Sequence, residues 1–262
     1  MSIKEIWWLF NYSVIRLVIV PLARRFLRLT AIVEGEIPNI RPVFLAPVHR
    51  TSIDTYTLSY LSREFICYVS TDSFGHSRIA NYLQRLATIA MGSVIWQKQG
   101  IAKTRQRALA LANDVEDRLD RRVIVAAFTQ GEYQPDSVDA VEDSLVGLLR
   151  RYEVRHLKQR GHELRIPVVP VGIEYDLDGM GLVLSGFAKF LATYVPYFPH
   201  WTVPAMGTRI TLRFGEPQYF DGRDASAVTD SVMRESARLS RIPYNAGEYA
   251  SQLPGEVAIS AD

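Results

Sequence analysis

His49 and Asp54, a histidine and an aspartate five residues apart, stand where the sequence changes character. Ahead of them VFLAPV (43–48) reads as a strand, and after them IDTYTLSYL (53–61) repeats apolar residues at helical spacing. With Ser52 as N-cap, Asp54 falls in the first helical turn and His49 in the loop before it. On a continuous helix residues five apart point about 140° away from each other, so the two meet only if the loop folds His49 back over the helix start. Once together, the carboxylate accepts a hydrogen bond from one imidazole nitrogen, fixes the tautomer and leaves the other nitrogen as a base. Asp54 also stabilises the imidazolium formed when that base takes a proton. The positive end of the helix opposes premature protonation of His49. A base held neutral near pH 7 is what deprotonation of a hydroxyl requires.

The elements that must position this pair alternate along the chain. VFLAPV (43–48), FICYVS (65–70), SVIW (93–96), VIVAAF (123–128), VVPVGI (168–173), GLVLSG (181–186) and ITLRFG (210–215) read as strands. Residues 53–61, 78–91 and 104–119 carry apolar residues at helical spacing. Val- and Ile-rich strands separated by helical stretches predict an α/β domain, a mixed sheet covered by helices, over residues 38–241. From Ile242 onward Pro, Gly and Asn interrupt every pattern, so 242–262 reads as a surface tail.

Residues 1–37 differ from the rest. IWWLFNYSVIRLVIV (Ile6–Val20) is short of the roughly 20 apolar residues a spanning helix needs, and Arg16 interrupts it. No A-x-A-like cleavage site follows, so a secretory signal is not expected. Pro21 then divides it from LARRFLRL, where Arg24, Arg25 and Arg28 alternate with leucines and Phe26. Tryptophans at one end and arginines at the other describe a helical segment lying in a membrane interface, its charged heads reaching lipid phosphates. The competing expectation is that the segment packs on the protein itself.

Around the His/Asp pair the sequence resembles the glycerolipid acyltransferases, the family containing 1-acyl-glycerol-3-phosphate acyltransferase and glycerol-3-phosphate acyltransferase. His49 and Asp54 match its HxxxxD motif. Gly92-Ser93-Val94-Ile95-Trp96-Gln97-Lys98 resembles the second block, Phe128-Thr129-Gln130-Gly131-Glu132-Tyr133-Gln134 lies where the third belongs, and Val168-Val169-Pro170-Val171-Gly172-Ile173 matches the fourth. Gly215-Glu216-Pro217 is also usual after a late strand, and the likeness covers about residues 43–220. The resemblance implies a membrane-associated O-acyltransferase that moves a fatty acyl group from an acyl thioester, acyl-CoA or acyl carrier protein, to the hydroxyl of a lysophospholipid. It implies His49 and Asp54 as catalytic residues, with Arg50, Lys98, Gln130, Gly131, Glu132 and Tyr133 as substrate-binding positions. It implies no metal and no cofactor beyond the thioester co-substrate. The same likeness implies a place on the cytoplasmic face of a membrane, peripheral or monotopic.

The departures bear on the acceptor. Gln130 stands for the family's usual Glu, Glu132 for Thr, Tyr133 for Arg, and Lys98 for the Arg that ends the second block. An Arg fork is not replaced by a Lys point charge, and Glu132 repels a phosphate. A phosphate-free acceptor such as a glycolipid, lipoamino acid or secondary metabolite is the alternative, and a non-catalytic lipid-surface protein is a third reading. No G-x-S-x-G elbow is present, so transfer is expected to be direct.

Composition excludes several classes. Across 262 residues, 48% hydrophobic and 22% charged residues describe a globular chain, and a net charge of +2 gives no reason to expect nucleic acid. One cysteine, Cys67, forms no internal disulfide, and without a CxxC or a Cys/His cluster the chain has no zinc or iron–sulfur pattern. His76, His156, His162 and His200 show no ligand spacing. The basic run Arg150–Arg160 reads as a polar segment after a helix, with a carrier protein or anionic lipid as its alternative partner.

Overall fold

In β2 (Val43–Pro47) and β5 (Ile124–Ala127) every residue is buried, which is what a strand covered on both faces by helices demands. The computed structural model describes residues 3–14, 17–18, 21–22, 25, 28–50, 54–71, 93–96, 104–130, 136–176 and 207–246. Its other strands are β1 (Thr30–Glu34), β3 (Ile66–Thr71), β4 (Val94–Trp96), β6 (Val168–Asp176) and β7 (Arg209–Phe214). The helices are α1 (Ile3–Val14), α2 (Asp54–Ser62), α3 (Thr104–Asp120), α4 (Ser144–Arg160) and α5 (Ala225–Ser240). The strands form one sheet of order β1-β7-β6-β2-β5-β3-β4, parallel throughout except for the antiparallel β6–β7 pair. This is the mixed, helix-covered sheet expected of the sequence.

Strand alternation sorts the core into two layers. Phe44, Ala46, Cys67, Val125 and Ala127 face α3, α4 and α5, meeting Val115, Leu119, Leu149, Val232 and Met233. Val43, Leu45, Tyr68, Ala126, Val171 and Ile173 face the other way, against Leu58 of α2 and Leu29. At Gly172 the contact between β6 and α5 has no room for a side chain: a Cβ there would lie 2.4 Å from the Leu239 Cβ and 2.5 Å from its carbonyl carbon. Ser236 and Ser240 of α5 reinforce that contact, their hydroxyls accepting from the Val171 and Ile173 amides at 3.1 and 2.9 Å.

Three elements escape the sequence reading, namely β1, α4 and α5. The basic run 150–160 is part of α4 rather than a segment beyond a helix, because Leu145, Val146, Leu149 and Tyr152 of the same helix turn inward. Several of its charges are paired within the chain: Arg150 with Glu153 at 3.7 Å, Arg160 with Asp120 at 3.7 Å, and Arg155 with Glu116. Residues 242–246, at the start of the expected tail, are held to the body by a bridge between Tyr244 and Val138 and by a 2.6 Å hydrogen bond from the Tyr244 hydroxyl to Asp230. The expected strand 181–186 and helix 78–91 lie outside the described residues.

Candidate active site

In an open sheet of this kind, ligands bind outside the carboxyl ends of the strands. Three adjacent strands, β6, β2 and β5, bring their ends together here. The chain leaving β2 supplies His49 and Arg50, the chain leaving β5 supplies Phe128 and Gln130, and the last residues of β6 run on past the end of β2 to Tyr175. The loop does fold back: His49 Nδ1 lies 3.0 Å from Asp54 Oδ2, at the first residue of α2. The expected N-cap Ser52 lies outside the described residues.

Asp54 is fully buried, whereas the His49 side chain keeps 28% of its surface open. A buried carboxylate needs donors, and Asp54 has them. The Arg50 backbone N–H donates to Oδ2 at 2.5 Å, and the Tyr175 hydroxyl donates to Oδ1. With Nδ1 facing the carboxylate, Nε2 is the ring nitrogen of His49 turned away from Asp54. The ring stacks on Phe128, centroids 4.2 Å apart at 27°, which fixes its plane. Phe128 in turn stacks against Tyr68 at 6.4 Å, and Tyr68 donates to the Thr55 carbonyl at 2.8 Å. Burial first, and then the neighbouring Tyr12, hold the Tyr68 phenol protonated well above its ordinary range.

Gln130, expected as a substrate contact, is buried and uses its Oε1 to accept the His49 backbone N–H. Arg50 lies nearby, its Nη1 3.4 Å from the Ile173 carbonyl and its guanidinium 5.8 Å from the centre of the Tyr175 ring. Lys98, Gly131, Glu132 and Tyr133 lie outside the described residues. Cys67 is no nucleophile: burial pushes its thiol up to about 11, so it stays protonated. Sequence reasoning missed Tyr175 and the stacking role of Phe128. Tyr175 sits 121 residues from Asp54, and only strand alternation down β6 from the fourth block would have aimed it at the same face as Val171 and Ile173.

No family model and no curated protein matches this sequence. The match comes from solved structures. The crystal structure of the 1-acyl-sn-glycerophosphate (LPA) acyltransferase PlsC from Thermotoga maritima superposes with a TM-score of 0.50, at 15% identity, over 96% of this chain and 83% of that one. The two chains share a fold. At that identity the likeness concerns architecture alone.

The amino-terminal helix completes the picture. One side of α1 packs on the body: Trp8 is buried against Arg118, and the Tyr12 hydroxyl donates to the Glu64 carbonyl in the connection from α2 to β3. Its other side leaves Ile6, Trp7, Phe10 and Val14 exposed, continued by Leu17, Val18 and Leu22. A groove of about 690 Å³ opens beside them between Leu17, Val33, Ile37, Leu61 and Phe214. Among the described residues no helix is long and apolar enough to cross a membrane.

Proposed function

We propose that this chain is a membrane-surface O-acyltransferase that moves a fatty acyl group from acyl-CoA or acyl carrier protein to the hydroxyl of a lysophospholipid such as 1-acyl-glycerol-3-phosphate. The observation that carries the reading is the 3.0 Å contact between His49 and a fully buried Asp54 at the carboxyl ends of β2 and β6, in a chain with the PlsC fold. His49 Nε2 takes the acceptor's hydroxyl proton as that oxygen attacks the thioester carbonyl. The tetrahedral intermediate collapses with loss of the thiolate, and the imidazolium returns its proton to the leaving sulfur. Asp54 balances the imidazolium charge between those two transfers. Since a thiolate leaves readily, the main demands are positioning and stabilisation of the oxyanion, for which the Gly131 N–H is our candidate.

Lys98, Arg50 and Tyr133 are assigned to the acceptor's polar head, with Glu132 alongside. The exposed apolar side of α1, an aromatic and aliphatic surface with arginines following, supports a place at a membrane surface, and the family resemblance implies the cytoplasmic face. Two substitutions within the third block, Glu132 and Tyr133, favour a second reading in which the acceptor lacks phosphate. The test is to supply labelled acyl-CoA, and separately acyl carrier protein, with a panel of acceptors with and without phosphate and to identify the labelled lipid. Transfer to lysophosphatidic acid supports the first reading, transfer only to phosphate-free acceptors the second, and no transfer to any acceptor overturns both.

A further inference from the structure

Successive same-face residues of β6 hold the residues on either side of His49 and then Asp54 itself. The Val171 carbonyl accepts from the Val48 N–H at 3.3 Å, the Ile173 carbonyl accepts from Arg50 Nη1 at 3.4 Å, and the Tyr175 hydroxyl donates to Asp54 Oδ1. β6 can do this because it continues to Asp176 while its pairing with β2 ends at Pro47 and Val171. Its far edge is fixed by β7, with Tyr175 opposite Ile210. The phenol is therefore set by the sheet and not by a mobile loop.

A carboxylate rotates with little hindrance about its last torsion, so a buried Asp54 needs a donor on each oxygen to keep one of them aimed at the imidazole. His49 Nδ1 and the Arg50 N–H lie on Oδ2, and Tyr175 meets Oδ1. We propose that Tyr175 is a positioning residue of the dyad: its hydroxyl fixes the Asp54 carboxylate so that Oδ2 faces His49, and it tempers the negative charge that the imidazolium meets. This rests on the acyltransferase reading for its effect on turnover, but its effect on His49 does not.

The test is Tyr175→Phe, which keeps the ring and removes the donor. In the intact protein the His49 Cε1–H titration, followed by NMR, should move to higher pH, since a carboxylate short of one donor holds an imidazolium more tightly. In turnover, kcat should fall about tenfold, the scale of one hydrogen bond to a charged group, with KM for donor and acceptor little changed. In an Asp54→Asn background the same change should leave the His49 titration where it was, as expected of a residue acting through Asp54. An unchanged His49 titration in Tyr175→Phe, or an equal shift in the Asp54→Asn background, overturns the proposal. Should Tyr175→Phe not fold, the wild type still decides: a downfield phenolic proton resonance that disappears in Asp54→Asn supports the contact, and its absence overturns it. If wild type transfers no acyl group, the proposed function fails while the titration still judges Tyr175.

Discussion

The Arg118 guanidinium lies 4.0 Å from the centre of the Trp8 ring, and this contact separates two neighbouring tryptophans into different roles. Trp8 is 7% exposed and belongs to the body of the protein, whereas Trp7 is 57% exposed and points away from it. Packing on the body, one of the two expectations for this segment, thus describes one side of α1, and the opposite side carries the exposed apolar residues on which the proposed membrane contact rests. Trp7→Glu with Phe10→Glu should release the protein from anionic and neutral vesicles in a sedimentation assay while leaving thermal stability close to wild type. Trp8→Ala should do the reverse, lowering stability with less effect on sedimentation. Vesicle binding unchanged in the double variant would leave α1 as a packing element alone.

His49→Ala should lower acyl transfer by about 10²–10⁴-fold, the range for a positioned general base, with the circular dichroism spectrum unchanged. Asp54→Asn should also lower turnover, and its amide, in place of a fully buried carboxylate, should lower stability as well. Near-normal turnover in His49→Ala removes the proposed mechanism.

The dyad was legible because its motif is local: five residues, a strand end and a helix start suffice to pose the question of whether the ring folds back. The sheet was legible for the same reason, since Val- and Ile-rich runs such as 123–128 and 168–173 announce buried strands. What escaped was held by tertiary contact. β1 alternates too weakly to be seen, with Ile32 and Val33 both exposed, and is a strand because β7 pairs with it. α4 carries so many charges that its inward stripe of Leu145, Val146, Leu149 and Tyr152 is masked. Tyr175 and Gln130 reach the site across 121 and 81 residues of chain, separations no spacing rule covers.

Gly172 is the residue of the fourth block whose purpose is clearest. Gly172→Ala would push a methyl group into the Leu239 side chain and backbone, and a helix backbone cannot yield as a flexible side chain can. The variant should lose about 2 kcal/mol or more, the upper range for overpacking, read as a fall in the denaturant midpoint. Because Ser236 and Ser240 tie the same helix to Val171 and Ile173, turnover should fall as well. A midpoint equal to wild type would show that α5 moves freely on the sheet.

His156 and His162 face each other, Nε2 to Nε2 at 3.1 Å, with Tyr152 and the Asp120–Arg160 pair around them. Burial, then Arg160 and His162, lower the His156 affinity for a proton, and Asp120 only partly restores it. The unfolded chain therefore binds more protons than the folded one as pH falls below the ordinary histidine range, so stability is lost on acidification through that window. Glu153, whose carboxyl burial pushes up, acts with the opposite sign in its own window, which makes a comparison between variants the informative measurement. The melting temperature of His156→Gln should fall less than that of wild type between pH 7.5 and 5.5. Parallel curves would show that the pair does not titrate in this range.

Gln130 offers the sharpest separation between a residue that binds substrate and one that shapes the site. Its Oε1 accepts the His49 backbone N–H, so Gln130→Ala leaves a partly buried donor without that acceptor and frees the loop that carries the base. The expected result is a fall in kcat of about tenfold with acceptor KM nearly unchanged, because the loss falls on the positioning of the base. Gln130→Glu, the side chain usual in the glycerolipid acyltransferases, keeps the accepting oxygen but adds a negative charge close to the imidazole. That charge favours the imidazolium, so the variant should be slow at pH 7 and recover as pH rises. If Gln130→Ala instead raises the acceptor KM and spares kcat, the residue contacts the substrate as the family resemblance implied, and the loop around His49 is held by its other contacts.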